Sequence, residues 1–339
     1  MITFDDFRSQ GSMIEALRKQ AEEKRLVHAL LITGEQGTGK RTLAMLFASA
    51  LMCEAESAIP CGKCSGCTMA MAGEHPDITI LEKGVPLSSD TSKGRATIPV
   101  DDIREVIRIC SRYAYEGRNR AVVIKNAETM TPAAQNSLLK ILEEPPQNTY
   151  FILTSAHADQ LLTTVRSRCR TVKLTPWEPG YVRKALSAQG IDAATAEKAA
   201  NACGGSIGKA AMLAGDEGYW KLREDVMSAF FRNRKRSEIL TQSTRWKDQK
   251  AESDRIFDLL EGEIHNLLRY RLTHDGGNAL NEFPEGWKRF AAEAPPERFV
   301  FLNDRIREAR KQCAFNVNFQ AIIEQLLLIF IGESDQWHK

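Results

Sequence analysis

Short apolar runs separated by amphipathic stretches organise the first half of the chain. His28-Ala29-Leu30-Leu31-Ile32-Thr33, Asp77-Ile78-Thr79-Ile80-Leu81, Ala121-Val122-Val123-Ile124 and Tyr150-Phe151-Ile152-Leu153-Thr154 each have the length of a buried strand, and Thr171-Val172-Lys173-Leu174 is a weaker fifth. Helical patterns lie between them, and that alternation predicts an α/β domain with a parallel sheet and helices on both faces. Beyond Pro176 the strand-like runs stop. Glu178 to Gln189, Ala193 to Ala202 and Ile207 to Ala214 read as short helices punctuated by Gly190 and Gly204-Gly205, the size of a small helical lid. From Asp216 onward the pattern is helical, with loops expected around Asp275-Gly276-Gly277-Asn278 and Ala294-Pro295-Pro296. The last helix, Asn318 to Ile331, is mostly apolar and should be buried. Gly84 to Ala96 is polar and Gly/Ser-rich and reads as a mobile loop. The expected domains are 1–175, 176–215 and 216–339.

The composition supports two or three packed cores: 339 residues, 43% hydrophobic and 27% charged. Lys plus Arg number 46 against 44 for Asp plus Glu, a formal net charge of +2, which excludes nucleic-acid binding by bulk positive charge but leaves local patches open. One such patch runs from Phe231 to Lys250, with seven cationic and two anionic residues. It reads as a solvated face or as a surface for DNA phosphates or an acidic partner. The longest apolar run, Ile322 to Ile331, is broken by Glu324 and Gln325 and falls short of the roughly 18 residues a membrane span needs. The acidic opening Met1-Ile2-Thr3-Phe4-Asp5-Asp6 has no signal-peptide pattern, so a cytoplasmic location is expected.

Four of the eight cysteines fall between Cys53 and Cys67, while Cys110, Cys169, Cys203 and Cys313 are scattered. A secreted disulfide scaffold would be smaller and denser, so a reducing compartment is expected. Cys53 with Cys61-x-x-Cys64-x-x-Cys67 offers four thiols, and Gly62 and Gly66 permit the tight curl of a tetrahedral zinc site. Four protein ligands leave no open position, so such a site is structural. Free or disulfide-linked thiols are the alternative, which a reducing compartment disfavours. Only Lys63 is basic between Cys61 and Cys67, which argues against a nucleic-acid ribbon. The six histidines have no metal spacing, and no serine, cysteine or carboxylate set has the spacing of a hydrolase.

Gly34-Glu35-Gln36-Gly37-Thr38-Gly39-Lys40 follows the first predicted strand and precedes an apolar helical pattern, Thr42 to Leu51. Strand, glycine-rich loop, Gly-Lys and helix form a phosphate cradle: loop N–H groups and the helix terminus face an anion, and the lysine pairs with the outer phosphates. The next position should carry a hydroxyl for Mg²⁺, and here it is Arg41. Thr42 comes one place late, about 100° around the helix. The acidic residues expected after Val122-Val123-Ile124 are replaced by Lys125 and Asn126, with Glu128 two residues beyond. Two lesions at one reaction centre predict that this chain alone does not hydrolyse nucleotide. The loop is then a structural relic or a site of residual binding through Gly34, Gly37, Gly39 and Lys40.

Thr131-Pro132-Ala133-Ala134-Gln135-Asn136-Ser137-Leu138-Leu139-Lys140-Ile141-Leu142-Glu143-Glu144-Pro145-Pro146 has a Thr cap, Pro in its first turn, a predicted apolar face of Leu138, Leu139 and Leu142, and a Pro-Pro stop. It resembles the signature helix of bacterial DNA polymerase III clamp-loader subunits. Thr164-Val165-Arg166-Ser167-Arg168-Cys169 resembles the family's Ser-Arg-Cys motif, and His28-Ala29-Leu30-Leu31 and Asn316-Val317-Asn318 are also family-like. The resemblance covers the whole chain, most strongly residues 1 to 215.

It implies an AAA+ phosphate-loop module over 1–175 with a zinc module at 53–67, a lid over 176–215 and an all-α collar over 216–339 that closes a five-membered ring. It implies partnership with delta and gamma/tau subunits, a sliding clamp and primed DNA. It also implies that Arg168, flanked by Ser167 and Cys169, is an arginine finger for a neighbour's ATP. On spacing alone Arg168 reads as a cap or the partner of a nearby acid. The lid arginine of the motor subunits sits in a Gly-Ser-x-Arg setting, but Gly205-Ser206-Ile207-Gly208 puts glycine there, with Lys209 one step on. This third departure points to a non-hydrolysing subunit. The alternatives are an active motor ATPase of the same family and a zinc-dependent DNA-binding protein unrelated to ring assembly.

Overall fold

The computed structural model describes residues 3–23, 25–87, 94–112, 119–232, 236–273, 280, 282–315 and 317–336. The expected loop at Asp275–Asn278 and Asn316 lie outside the described residues, as do 88–93 of the Gly84–Ala96 loop and 233–235 of the basic stretch. The chain divides into two units, Met1–Trp177 and Glu178–Lys339.

In the first unit five parallel strands, β1 (Ala29–Thr33), β2 (Ile78–Leu81), β3 (Arg120–Ile124), β4 (Thr149–Ser155) and β5 (Arg170–Lys173), form one sheet in the order β2-β3-β4-β1-β5. Every residue of β1 and β3 is buried, which is why their sequences are continuous apolar runs rather than alternating ones. Among the described residues of this unit the α-helices are α1 (Ser12–Glu22), α2 (Lys40–Met52), α3 (Ser65–Ala72), α4 (Val100–Cys110), α5 (Pro132–Glu143) and α6 (Thr163–Arg166). Leu31, Val122, Ile124, Phe151 and Leu153 of the sheet share a core with Ile103 and Val106 of α4, Leu138 and Leu142 of α5, and Val165 of α6. The buried stripe of α5 is Ala134, Leu138, Ile141 and Leu142, with Leu139 only half-buried at its margin, so the predicted face is rotated slightly toward Ile141. Helix α2, apolar nearly all round, packs against β1, β3 and β4.

The second unit is helical throughout its described residues: α7 (Pro179–Ala188), α8 (Ala193–Ala202), α9 (Ile207–Ala214), α10 (Glu217–Val226), α11 (Ile239–Trp246), α12 (Ser253–Thr273), α13 (Glu285–Glu293), α14 (Pro296–Ala314) and α15 (Phe319–Gln336). Asp192 and Ser206 cap α8 and α9 by accepting backbone N–H groups, which fixes both starts where the sequence puts them. The helices expected as lid and collar lie in the same unit: the Trp220 indole donates to the Leu213 carbonyl at 2.8 Å, and Arg255 pairs with Asp216 at 2.6 Å. The core is aromatic. The ring of Phe231 meets those of Phe283, Trp287 and Phe330 at centroid separations of 5.1, 5.0 and 5.5 Å, all edge to face. Helix α15 contributes Ile322, Ile323, Leu326, Leu327, Phe330 and Ile331 to it, as its apolar sequence requires.

Candidate functional site

The phosphate-type loop joins β1 to α2 at the carboxyl ends of the parallel strands, where open α/β sheets place their ligand crevices. Gly34 must be glycine, because a Cβ there would lie 2.6 Å from the Leu174 carbonyl oxygen just past β5. Gly37 and Gly39 complete the curl, and Lys40 opens α2. The Lys40 ammonium turns back into its own loop, donating to the carbonyls of Gly34 and Glu35 at 2.7 Å each. It is only 8% exposed, and burial holds its pKa below the ordinary lysine value against the opposing charges of Glu128 and Glu35. The Thr38 hydroxyl also donates to the Glu35 carbonyl, at 2.8 Å.

An aromatic pair closes this loop that sequence reasoning missed. The buried Trp177 indole donates to the Thr38 carbonyl at 2.9 Å, and the Phe7 ring meets Trp177 edge to face at 5.5 Å while touching the position of Gly39. The only available signal was an aromatic residue directly after Pro176, where the strand pattern ends.

At the tip of β3, Lys125 is not left as an unpaired cation. Its ammonium lies 2.7 Å from Glu82, just past β2, so the change of sign at the metal-ligand position is balanced locally. The Asn126 N–H donates to the Thr154 hydroxyl at 3.1 Å, and Glu128 accepts the Ala156 N–H at 3.2 Å, leaving its other carboxylate oxygen buried without a hydrogen-bond partner among the described residues. Arg41 is exposed. This surface carries the Lys125 ammonium, the Asn126 amide and hydroxyls, with the Glu82 carboxylate held by Lys125 and that of Glu128 tied to a backbone N–H.

Arg168 lies in the short turn between α6 and β5. Its Nε donates to Glu143 Oε1 at 2.7 Å, its Nη2 pairs with the same carboxylate, and its Nη1 donates to the Thr164 carbonyl at 2.8 Å. The Ser167 hydroxyl donates to that same carbonyl at 3.1 Å. Cys169 points inward and belongs to the sheet core, where burial pushes its thiol up to about 12, so it is inert packing rather than a nucleophile. Of the three motif residues, Ser167 and Arg168 reach the surface and Cys169 does not.

The four cysteines converge. The Sγ atoms of Cys53, Cys61, Cys64 and Cys67 all lie within 4.8 Å of one another, and those of Cys61 and Cys67 are 4.0 Å apart. A tetrahedron of thiolates about 2.3 Å from zinc has edges of about 3.8 Å, so a small contraction would close the site. Cys61, Cys64 and Cys67 donate their N–H groups to the sulfurs of Cys53, Cys61 and Cys64, each at 3.4 Å, an arrangement that favours thiolates. The N–H groups of Lys63 and Cys64 pull the Cys61 thiol down to about 6, while burial raises Cys53 and pushes Cys67 up to about 12. Gly66 is required here, since a Cβ would lie 2.1 Å from the Met52 carbonyl oxygen at the end of α2. The donor set and its spacing fit a metal ion.

Farther along the chain, Gly208 and Lys209 are exposed on α9, whose cap is the Ser206 hydroxyl. In the basic stretch, Arg232 pairs with Glu224, and Arg245, Lys247 and Lys250 are exposed. Among the described residues no helix is long and apolar enough to cross a membrane.

Two family profiles match. The one described as DNA polymerase III, delta subunit, covers residues 9–178, and the one described as DNA polymerase III, delta subunit, C terminal, covers residues 217–331. The DNA polymerase III subunit delta' of Bacillus subtilis is 26% identical over 94% of this chain and 95% of its own length. That of Escherichia coli is 37% identical over 60% of this chain and 58% of its own length, less than two thirds of that protein. A gamma subunit-related protein of DNA polymerase III from Thermotoga maritima superposes with a TM-score of 0.43 at 17% identity, over 94% of this chain and 99% of that one.

Proposed function

The chain belongs to the delta-prime family of DNA polymerase III subunits, and from that premise we propose that it is the non-hydrolysing stator of a clamp loader. In this reading residues 1–175 are an AAA+ module, 176–215 its lid and 216–339 a collar. The chain assembles with delta and ATP-hydrolysing gamma/tau subunits to open a sliding clamp and place it on primed DNA. Its work is geometric. It contributes a rigid platform and one cation, and it spends no nucleotide of its own.

The observation that carries this reading is the asymmetry between the two candidate centres. At the chain's own phosphate loop, Lys40 is turned onto backbone carbonyls, Lys125 is neutralised by Glu82, and Arg41 stands where a hydroxyl should ligate magnesium. At Arg168 the guanidinium is kept in a defined pose and remains partly exposed. Arginine suits action in trans because its planar, always-charged fork grips phosphoryl oxygens at two points. It stabilises charge that builds on the transferring group, worth about 10³–10⁵ in rate in well-studied cases. Cys53, Cys61, Cys64 and Cys67 would hold a structural Zn²⁺, which ties α2 to α3 and takes no part in chemistry.

Reconstitution with the partner subunits tests this. Replacing wild type by Arg168→Ala should lower DNA-stimulated hydrolysis and clamp loading, and unchanged rates would overturn the role in trans. Hydrolysis of Mg-ATP by the isolated chain at motor rates, lost on Lys40→Ala, would overturn the stator reading as a whole.

A further inference from the structure

Arg168 is held by a residue that nothing in its own motif specifies. Glu143 closes α5, 25 positions earlier in the chain, and its carboxylate takes both the Nε and an Nη2 hydrogen of Arg168. Resting on the reading of Arg168 as a group acting in trans, we propose that Glu143 is the positioning residue that presents Arg168 to the neighbouring subunit's nucleotide.

Local helix physics does not account for a carboxylate at this place. Glu143 is the last residue of α5, where the helix dipole is negative and a cation is preferred. The compensation is the guanidinium. The contact also spans two elements: it ties the turn after α6 to the end of α5, and α5 is anchored in the sheet core through Leu138 and Leu142. The arginine is therefore referenced to the body of the unit and not merely to its own turn.

The hydrogen-bond inventory leaves the right remainder. A guanidinium has five N–H donors. Glu143 takes two and the Thr164 carbonyl takes one, so two are left, enough for a forked grip on phosphoryl oxygens. The pair is also reachable: the Arg168 and Glu143 side chains are 30% and 48% exposed. An ion pair so exposed adds little to folding stability, so its value lies in the pose it sets. A guanidinium released from Glu143 would have to find that pose anew at each turnover, and misplacement of a catalytic group by an ångström is costly in rate.

The test uses the reconstituted assembly in which only the motor subunit adjacent to this chain keeps its phosphate-loop lysine, so that the rate reports the site Arg168 serves. Glu143→Ala should lower kcat by about tenfold with KM for ATP unchanged, a smaller loss than that of Arg168→Ala. In an Arg168→Ala background the Glu143→Ala change should have no further effect, because a residue that acts through the arginine has nothing left to position. Glu143→Gln keeps the shape and one acceptor but loses the charge, and should fall between Glu143→Ala and wild type. A Glu143→Ala rate equal to or above wild type overturns the proposal, and so does a loss that persists undiminished without Arg168, which would mark a structural role. An Arg168→Ala assembly as fast as wild type overturns the underlying reading as well, so the two failures are distinguishable.

Discussion

Removing the metal site should loosen the first unit by an amount the structure allows to be worked out. Fifteen residues run from Cys53 to Cys67, and a four-sulfur clasp closes that segment. Closing a loop of this length removes unfolded-state entropy worth about 3 kcal/mol at 25 °C when the link is covalent, which is the appropriate scale for a tightly held ion. The first unit has 177 residues, and domains of about 150–250 residues move by about 2–4 °C in Tm per kcal/mol. Loss of the ion, or simultaneous replacement of all four cysteines by serine, should therefore lower that unit's Tm by about 6–12 °C without abolishing its fold. The β-sheet core lies elsewhere, among Leu31, Val122, Phe151, Leu138 and their neighbours. Calorimetry with and without a strong chelator, combined with metal analysis by atomic emission, reads both quantities. The expected result is one zinc per chain and a chelator-sensitive transition in wild type but not in the serine variant. A wild-type chain that holds no metal, or a serine variant that melts like wild type, would refute the reasoning.

Three further predictions concern the platform itself, each read by urea unfolding of the purified chain. Leu138→Ala, at a fully buried position of α5, should cost about 2–5 kcal/mol through lost burial and a residual cavity; a cost under about 1 kcal/mol would contradict the packing described. Thr131→Ala removes the hydroxyl that accepts the Ala134 N–H at the start of α5 and should cost about 1 kcal/mol, with Thr131→Ser restoring most of it. Glu82→Ala leaves the Lys125 ammonium without its partner at the sheet edge and should cost about 1 kcal/mol, shrinking at high salt because Glu82 is partly exposed; a stabilised variant would show that the pair does not balance the lysine.

The centre of the sheet was legible because β1 and β3 are buried on both faces. Ala29 to Ile32 and Ala121 to Ile124 leave no polar position for a competing reading, and the strand bounds differ from the apolar runs by a residue. Helices α8 and α9 were legible from the glycines that punctuate them, Gly190 and Gly204-Gly205, and the side chains of Asp192 and Ser206 accept N–H groups at the predicted starts. The four-cysteine cluster followed from spacing because its ligands are near neighbours in the chain. What spacing did not reveal are pairings set by the tertiary fold. Lys125 read as a simple loss of a metal ligand, yet it meets Glu82, 43 positions away and just past the neighbouring strand β2. Trp177, to which the sequence assigned no role, braces the phosphate-type loop from the far end of the unit, 139 positions from Thr38. The reading of Arg168 as the partner of a nearby acid and its reading as a finger were posed as alternatives. The pair with Glu143 is present, and it leaves two donors of the guanidinium for a ligand.

The claim at the centre of this account is that the Arg168 guanidinium completes a catalytic site on another subunit. The most direct measurement is its distance from the transferring phosphoryl group in a structure of the assembled ring trapped on primed DNA with a transition-state analogue. The account predicts N–O separations of about 2.7–2.9 Å from Arg168 to that group. It also predicts no magnesium-coordinated nucleotide beside Lys40. A guanidinium that stays well outside hydrogen-bonding reach of every neighbouring phosphate, or a productive Mg-ATP in this chain's own loop, would contradict it.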